Sequence, residues 1–283
     1  MANLPLTAQI DNMVASGRVH LPVYPAVAAQ VDALLAQDTP TADTLARLIS
    51  HDPVLACNLF RAANSAFYQG LPKALTIDEA ITRVGIEQTL REVERACRDG
   101  ELCPQGQFIP RYFSALWQHA LGCALGARWL AHRCGFAALA EQAHLQGLLH
   151  DIGKLFLLAA LEQIAGCDEP HIALGPQLVE EVVESMHVEM GLRLITEWHL
   201  PDEFAGVVGR HHEAELDGQE LLLALVRLAN KGCRKVGLGW ERDDGLVLPT
   251  TAEAQFLGID EISLAEFEIM LEDRFQLVAP EPA

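Results

Sequence analysis

The chain has 283 residues, half of them hydrophobic, and its 39 acidic side chains outnumber its 20 lysines and arginines, so the formal net charge is −19. This size suits one large domain or two smaller lobes, and the composition is typical of a globular protein rather than a disordered one. Because nucleic-acid affinity depends largely on neutralising phosphates, so acidic a chain is not expected to bind DNA or RNA directly, nor an acidic membrane surface.

The sequence also lacks the features of secreted and membrane proteins. No apolar run reaches the roughly 20 residues that span a bilayer, and residues 1–19 lack the basic start, apolar stretch and cleavage site of a signal peptide. The seven cysteines are odd in number and include no C-x-x-C pair, which disfavours a disulfide framework or a zinc knuckle. We therefore expect a cytoplasmic protein whose cysteines are reduced packing residues.

Nearly every long segment has apolar residues at three- and four-residue intervals, which predicts helices. In the first 100 residues, Asp52-Pro53 is typical of a helix start, and Asn64-Ser65 is expected to end that helix. The later helices are predicted over 76–84, 87–96, 110–134, 139–161, 177–199, 203–212, 220–236, 252–257 and 264–275. These elements predict an all-α fold with an N-terminal helical lobe over 1–100, a helical bundle over 101–240, and an acidic loop and helical extension over 241–283.

Histidines and a carboxylate on the predicted bundle helices form a candidate metal site. His150 and Asp151 follow an apolar run, and an imidazole beside a carboxylate can bind one divalent cation if the helix bends there. His119, His187 and His211 lie on other predicted helices. Metal sites in helical bundles are built from inward side chains on facing helices, so these residues are the candidate ligands.

The residues after this dipeptide favour a phosphate ligand, but the whole cluster also has a structural interpretation. Gly153 permits close approach of backbone or substrate, and Lys154 is expected to contact a phosphate oxygen as a point charge. In the structural interpretation, the histidines and Asp151 are a retained polar cluster, because a buried His-Asp pair satisfies its own hydrogen bonds. Glutamates 180, 181, 184 and 189 are expected to form one solvated face.

The string Leu-Leu-His-Asp-Ile-Gly-Lys over 148–154, with a histidine on the preceding helix, resembles the HD superfamily of metal-dependent phosphohydrolases. The resemblance implies that His119, His150 and Asp151 bind a divalent metal ion, which could be Fe, Mn, Mg, Ni or Zn. It also implies that His187 and His211 are further ligands, as in the binuclear members of the superfamily.

Two departures from the HD pattern disfavour catalysis. The distal aspartate of the superfamily falls at Asn230, whose neutral amide is a poorer ligand for a hard cation. The cyclic-di-GMP phosphodiesterase subgroup continues its His-His-Glu with two residues, Asp-Gly, and then Gly-Tyr-Pro. Here three residues separate Glu213 from Asp217, and no Gly-Tyr-Pro follows.

A second resemblance, to HDOD domains, rests on motifs that occur in the family's order. The motifs are Leu21-Pro22-Val23-Tyr24-Pro25, Asp52-Pro53-Val54-Leu55, Asn64-Ser65-Ala66-Phe67-Tyr68, Ala80-Ile81 through Val84-Gly85, and Trp198-His199-Leu200-Pro201. This resemblance implies an HD-like helical bundle with an additional N-terminal helical lobe. It further implies a bacterial signalling output or scaffold module on a degenerate HD scaffold, with signalling proteins or a second copy of itself as partners.

Three functions therefore stay open. The first is this non-enzymatic module, which acts through protein–protein interaction. The second is a metal-dependent phosphohydrolase acting on a nucleotide or cyclic dinucleotide. The third is a sensor that binds a nucleotide in the HD cleft without cleaving it. Elemental analysis of the chain and of His150→Ala discriminates between an assembled metal site and a retired one.

Overall fold

The computed structural model describes residues 4–17, 19–36, 40–68, 70–103, 106, 108–166, 174–213, 215–216 and 220–278. These residues contain fourteen α helices and no β strand, which confirms the predicted all-α class. Within the same ranges, no helix combines the length and the hydropathy needed to cross a bilayer.

The helices belong to two compact units that are each discontinuous in sequence. The first unit comprises Met1–Ser114 and Asp151–Leu200, and the second comprises Ala115–His150 and Pro201–Ala283. The predicted division into segments 1–100, 101–240 and 241–283 follows the chain rather than these units, and it stays a prediction.

The first unit contains eight complete helices and the start of a ninth among its described residues. They are α1 (Leu6–Ser16), α2 (Pro25–Leu35), α3 (Ala42–Ile49), α4 (Pro53–Ala63), α5 (Ile77–Val84), α6 (Ile86–Glu101), the beginning of α7 (Ile109–Arg133), α9 (Ile152–Ala165) and α10 (Pro176–Glu197). Helix α1 was not predicted from the sequence. Helix α6 extends to Glu101, beyond the predicted end at 96, and the i,i+4 pair Arg98–Glu94 stabilises its last turns.

The buried carboxylate of Asp52 connects two of the sequence motifs. Its Oδ1 accepts hydrogen bonds from the backbone N–H groups of Val54 (2.9 Å) and Leu55 (3.0 Å), which confirms the predicted N-cap of α4. Its Oδ2 accepts a bond from the backbone N–H of Tyr24 at 2.9 Å. Asp52 therefore joins the start of α2 to the start of α4, and its two oxygens satisfy three backbone donors.

Asn64 ends α4 as predicted and organises the turn that follows. Its Oδ1 accepts bonds from the backbone N–H of Ala74 at 3.0 Å and from Nη1 of Arg83 at 3.1 Å. The same guanidinium donates to the carbonyl of Pro72 at 2.6 Å. The asparagine motif is thus a device that fixes the connection between α4 and α5.

The second unit contains the rest of α7 and five further helices. They are α8 (Ala140–Leu149), α11 (Glu203–Arg210), α12 (Leu221–Val236), α13 (Ala252–Leu257) and α14 (Glu261–Val278). Its core surrounds α12, where Phe267 stacks on Trp129 at a centroid distance of 5.6 Å. Arg227 of α12 and Glu253 of α13 form a fully buried ion pair at 2.5 Å.

The predicted single helix over 139–161 is wrong, because the chain bends between α8 and α9. His150 keeps helical dihedral angles, but Asp151 has φ −107° and ψ 20°, which ends one helix and begins the other. The apolar periodicity continues through this point, so the pattern alone could not place the bend.

Burial makes the thiol of Cys57 unreactive. No disulfide joins the cysteines in the described part of the chain, and Cys167 lies outside it. Burial raises the pKa of Cys57 from 9.0 to about 12, and it raises the pKa of Cys97 and of Cys103 to about 11. We expect iodoacetamide at pH 8 to leave Cys57 unlabelled in the native chain and to label it in urea, as measured by peptide mass spectrometry.

The same pKa shift predicts how stability depends on pH. Between pH 9 and about 12 the Cys57 thiol ionises in the unfolded chain but not in the native one. The unfolded state then binds fewer protons, so the free energy of unfolding falls as the pH rises through this window. A Cys57→Ala variant with the same slope as the parent would contradict this assignment.

Candidate metal-ligand clusters

The His-Asp dipeptide lies where α8 ends and α9 begins. His150 follows the last residue of α8, and Asp151 precedes the first residue of α9. The chain passes from the second unit to the first at this peptide bond. The predicted site residues therefore fall into two groups, one in each unit.

The group in the second unit consists of His119, His150 and one residue that was not predicted, Cys123. All three are buried, and their ligand atoms lie within 4.8 Å of one another. The His119 and His150 rings are 5.4 Å apart, and Cys123 Sγ lies 3.5 Å from His119 Nε2. Cys123 had been interpreted as a packing residue. Its i,i+4 spacing from His119 on one helix is the signal that could have identified it.

Backbone carbonyls fix the tautomers of these histidines. His119 Nδ1 lies 3.0 Å from the carbonyl oxygen of Leu238, and His150 Nδ1 lies 2.7 Å from that of Gly147. A carbonyl oxygen only accepts, so each Nδ1 carries the proton and donates it. Each Nε2 then presents a lone pair, which is the state in which histidine binds a metal ion.

His211 extends this cluster within the second unit. It is buried at the end of α11, and its Nδ1 donates to the carbonyl of Val208 at 2.9 Å. Its ring lies 5.1 Å from that of His150, and the ring of the exposed His212 lies 4.1 Å from it at a tilt of 45°. Asn230 is buried on α12 of the same unit. The structure thus brings His119, His150 and His211 together and adds a thiol.

The group in the first unit is a charge network around Lys154. Its ammonium lies 3.3 Å from Asp151 Oδ2 and 3.0 Å from Glu184 Oε1, and the Lys154 and Asp151 side chains are 9% and 7% exposed. Burial alone would lower the pKa of Lys154, but the two carboxylates outweigh it and raise that pKa. Lys154 therefore acts as the counter-ion of the HD aspartate.

His187 belongs to the same network. Its Nε2 lies 3.6 Å from Asp151 Oδ1, and its Nδ1 lies 2.8 Å from the carbonyl oxygen of Glu184. Two glutamates of the predicted solvated face also make contacts: Glu184, 33% exposed, lies 3.0 Å from Lys154, and Glu180, 47% exposed, accepts a hydrogen bond from the Tyr112 hydroxyl at 2.6 Å. A partner 30 residues distant on another helix leaves no local signal in the sequence.

Gly153 allows α9 and α10 to approach closely. A Cβ at this position would lie 2.0 Å from the carbonyl oxygen of His187 and 2.9 Å from the backbone nitrogen of Gly191. Gly153 therefore allows the close approach of the α10 backbone, and the approach of backbone is one of its two predicted roles. This approach brings Asp151 and Lys154 of one segment to Glu184 and His187 of the other.

The described residues form helices and no strand, with His-Asp at a helix junction and histidines on other helices, which agrees with the resemblance to HD-related proteins. The model of the HDOD domain family matches residues 21–214, which is more than half of the chain. The chain therefore belongs to the HDOD domain family, and the resemblance seen in the sequence motifs is confirmed.

Three further comparisons found proteins that are similar to this chain. An uncharacterized protein of Treponema pallidum (strain Nichols) is 24% identical over 241 residues, which cover 82% of this chain and 46% of that protein. This chain thus spans about half the length of that curated relative. The crystal structure of the response regulator MmoQ of Methylococcus capsulatus matches with a TM-score of 0.68 at 22% identity, covering 87% of this chain and 97% of that chain. A virulence factor of Campylobacter jejuni matches with a TM-score of 0.61 at 14% identity, covering 94% and 99%. At these identities the likeness to the two structures concerns the fold.

Proposed function

We propose that this HDOD chain is a non-enzymatic signalling module that acts by binding signalling proteins, on a scaffold whose HD residues have become structural. The observation that carries the proposal is the position of Lys154. The residue expected to contact phosphate is buried and placed between two carboxylates of its own unit. A fixed ammonium beside Asp151 supplies the positive charge that a cation would supply to that carboxylate in an HD enzyme.

The neutral Asn230 supports the same proposal. It stands where the HD pattern has its distal aspartate, so the chain lacks one hard anionic ligand. A polar cluster can be retained for structural reasons after catalysis is lost. His119, His150 and His211 each hydrogen-bond to a backbone carbonyl, and each bond fixes the end or the packing of a helix.

A second candidate function, metal-dependent phosphohydrolysis, is favoured by the tautomers of the second unit. His119, Cys123 and His150 would hold the ion, and two nitrogens with one sulfur suit Zn, Fe or Ni better than Mg. When bound, such an ion lowers the pKa of a coordinated water and polarises a phosphoryl group. The donor set fits a transition metal. A single hydrolysis assay on the metal-loaded chain therefore distinguishes the non-enzymatic module from the phosphohydrolase.

The test measures hydrolysis of bis(p-nitrophenyl) phosphate, nucleotides and cyclic dinucleotides by the full chain loaded with each metal in turn. We expect no rate above that of His150→Ala. The matched control is His132→Ala, an exposed histidine on the same helix as His119. Metal-dependent turnover that is lost in His150→Ala and retained in His132→Ala would overturn the proposal in favour of the enzyme.

The interaction half of the proposal has its own measurement. Cross-linking in the cells that express the chain, followed by reconstitution with purified components, is expected to give a complex of defined stoichiometry with a signalling protein or a second copy. His150→Ala should form this complex as the parent does. If no complex can be reconstituted and the chain hydrolyses phosphate esters, both parts of the proposal, the absence of catalysis and the protein–protein interaction, would be contradicted.

A further inference from the structure

A cavity in the first unit is lined by none of the candidate metal ligands. Its volume is about 520 Å³, and its lining comes from the end of α4, the following 3₁₀ turn at Ala66–Tyr68, α6 and the end of α10. Pockets of a few hundred Å³ hold small ligands and cofactors. Several HDOD sequence motifs supply the walls of this cavity. These motifs contain none of the candidate metal ligands, so the chemistry of HD enzymes does not explain their presence.

Arg61 is one of four charged side chains that line the cavity, with Glu92, Arg95 and Glu197. Its guanidinium lies 5.4 Å from the centroid of the Trp198 ring, and it has no ion pair or hydrogen bond with any described residue. Arg95, which also lines the cavity, pairs with the buried Glu92 at 2.5 Å. Arg61 is therefore the cation of this lining that the chain does not neutralise by direct contact.

Arg61 is an exposed residue whose guanidinium is partly desolvated by its neighbours. This desolvation lowers the pKa of the guanidinium, which nevertheless stays protonated at neutral pH. A guanidinium presents its N–H donors in a planar fork, the geometry that binds carboxylate and phosphate. Arg61 and Trp198 also line an adjoining cavity of about 260 Å³.

Aromatic rings border the same cavity. Phe67 is 85% exposed, and its ring meets Tyr68 edge-on at a centroid distance of 4.9 Å. Leaving a phenyl ring in water forgoes the free energy of burying it. A planar ligand stacked on Phe67 would recover that free energy, and the half-buried Ser65 supplies a hydroxyl beside it.

The backbone at the wall of the cavity is strained at His199. This residue has φ 55°, the left-handed conformation that favours glycine, and it ends α10 with a bond from the Leu200 N–H to the Ile195 carbonyl at 2.9 Å. Lys73 Nζ donates to the His199 carbonyl at 3.1 Å. A non-glycine residue in this conformation costs stability, and such residues concentrate at binding sites.

We propose that this cavity binds a nucleoside monophosphate, with its phosphate on Arg61 and its base against Phe67. The ligand class follows from charge and shape together. One unneutralised guanidinium matches one or two negative charges, and the net charge of −19 repels more highly charged nucleotides. An aromatic base would stack on the exposed ring of Phe67, whereas inorganic phosphate would leave that ring in water. This site stands independently of the proposed function.

The test is calorimetric titration of the full chain with AMP, GMP, CMP and UMP. Inorganic phosphate and adenosine, each alone, separate the contributions of charge and ring. Arg61→Met is expected to weaken binding by about tenfold or more, because it removes charge-assisted hydrogen bonds. Phe67→Ala is expected to weaken it by several fold. The matched control is Arg47→Met, which removes an exposed arginine of α3 that pairs with the exposed Asp43.

His199→Gly separates binding from folding. It should raise the melting temperature by relieving the left-handed strain and should weaken nucleotide binding by removing an imidazole from the wall. Absence of saturable binding of any monophosphate at millimolar concentration would overturn the proposal. So would binding that survives Arg61→Met, or binding that is lost in His150→Ala instead, which would place the nucleotide at the HD residues.

Discussion

Gly153→Ala is expected to lower the free energy of unfolding by about 3 kcal/mol, the upper part of the range for overpacked cores. The added methyl carbon would lie 2.0 Å from the carbonyl oxygen of His187, and the obstacle is backbone, which cannot rotate away as a side chain can. Helices α9 and α10 must therefore separate. Urea unfolding followed by circular dichroism measures the loss.

Gly206→Ala is the matched control for this substitution. Gly206 also lies inside a helix, α11, but it is exposed and a Cβ there would have no neighbour within 4 Å. Replacing glycine by alanine at such a position should stabilise the helix by up to about 1 kcal/mol. Equal effects of the two substitutions would show that helix propensity, and not the contact with His187, determines the role of Gly153.

Local features of the fold were predictable because their causes lie within a few residues. Asp52 caps α4 through backbone groups two and three residues away, and Asn64 ends the same helix. The His-Asp string is likewise contiguous, so a candidate metal site could be anticipated there. The exact bend at Asp151 could not, because the apolar residues on both sides continue one helical period.

The contacts of Glu184 and Arg61 escaped prediction because they join segments that are distant in sequence. Glu184 was interpreted as solvated because its neighbours in sequence are acidic, whereas its partner Lys154 lies on another helix. Arg61 and Trp198 are separated by more than 130 residues, and nothing near either residue indicates their stacking. Such pairs are determined by helix packing, which a single sequence specifies only through the whole core.

Lys154→Met is expected to cost about 3 to 5 kcal/mol of unfolding free energy, because it leaves the buried Asp151 carboxylate without its counter-ion. Removing the partner charges as well, in the triple variant with Asp151→Asn and Glu184→Gln, should restore most of the loss. Replacing all partners of a buried ion pair by neutral residues lowers the free energy of unfolding far less than removing one partner does. Chemical denaturation of the parent, the single variant and the triple variant measures the coupling.

The matched control is Lys235→Met, which breaks the half-exposed pair with Glu268 in the second unit. Water screens that pair, so its loss should lower the free energy of unfolding by less than about 1 kcal/mol.

Added divalent cations provide a further comparison. An ion that replaces the missing ammonium should stabilise Lys154→Met more than the parent, since ligands of the native state raise its stability. Equal losses in the two lysine variants, with no difference in the response to cations, would contradict the view that a built-in ammonium neutralises the HD aspartate.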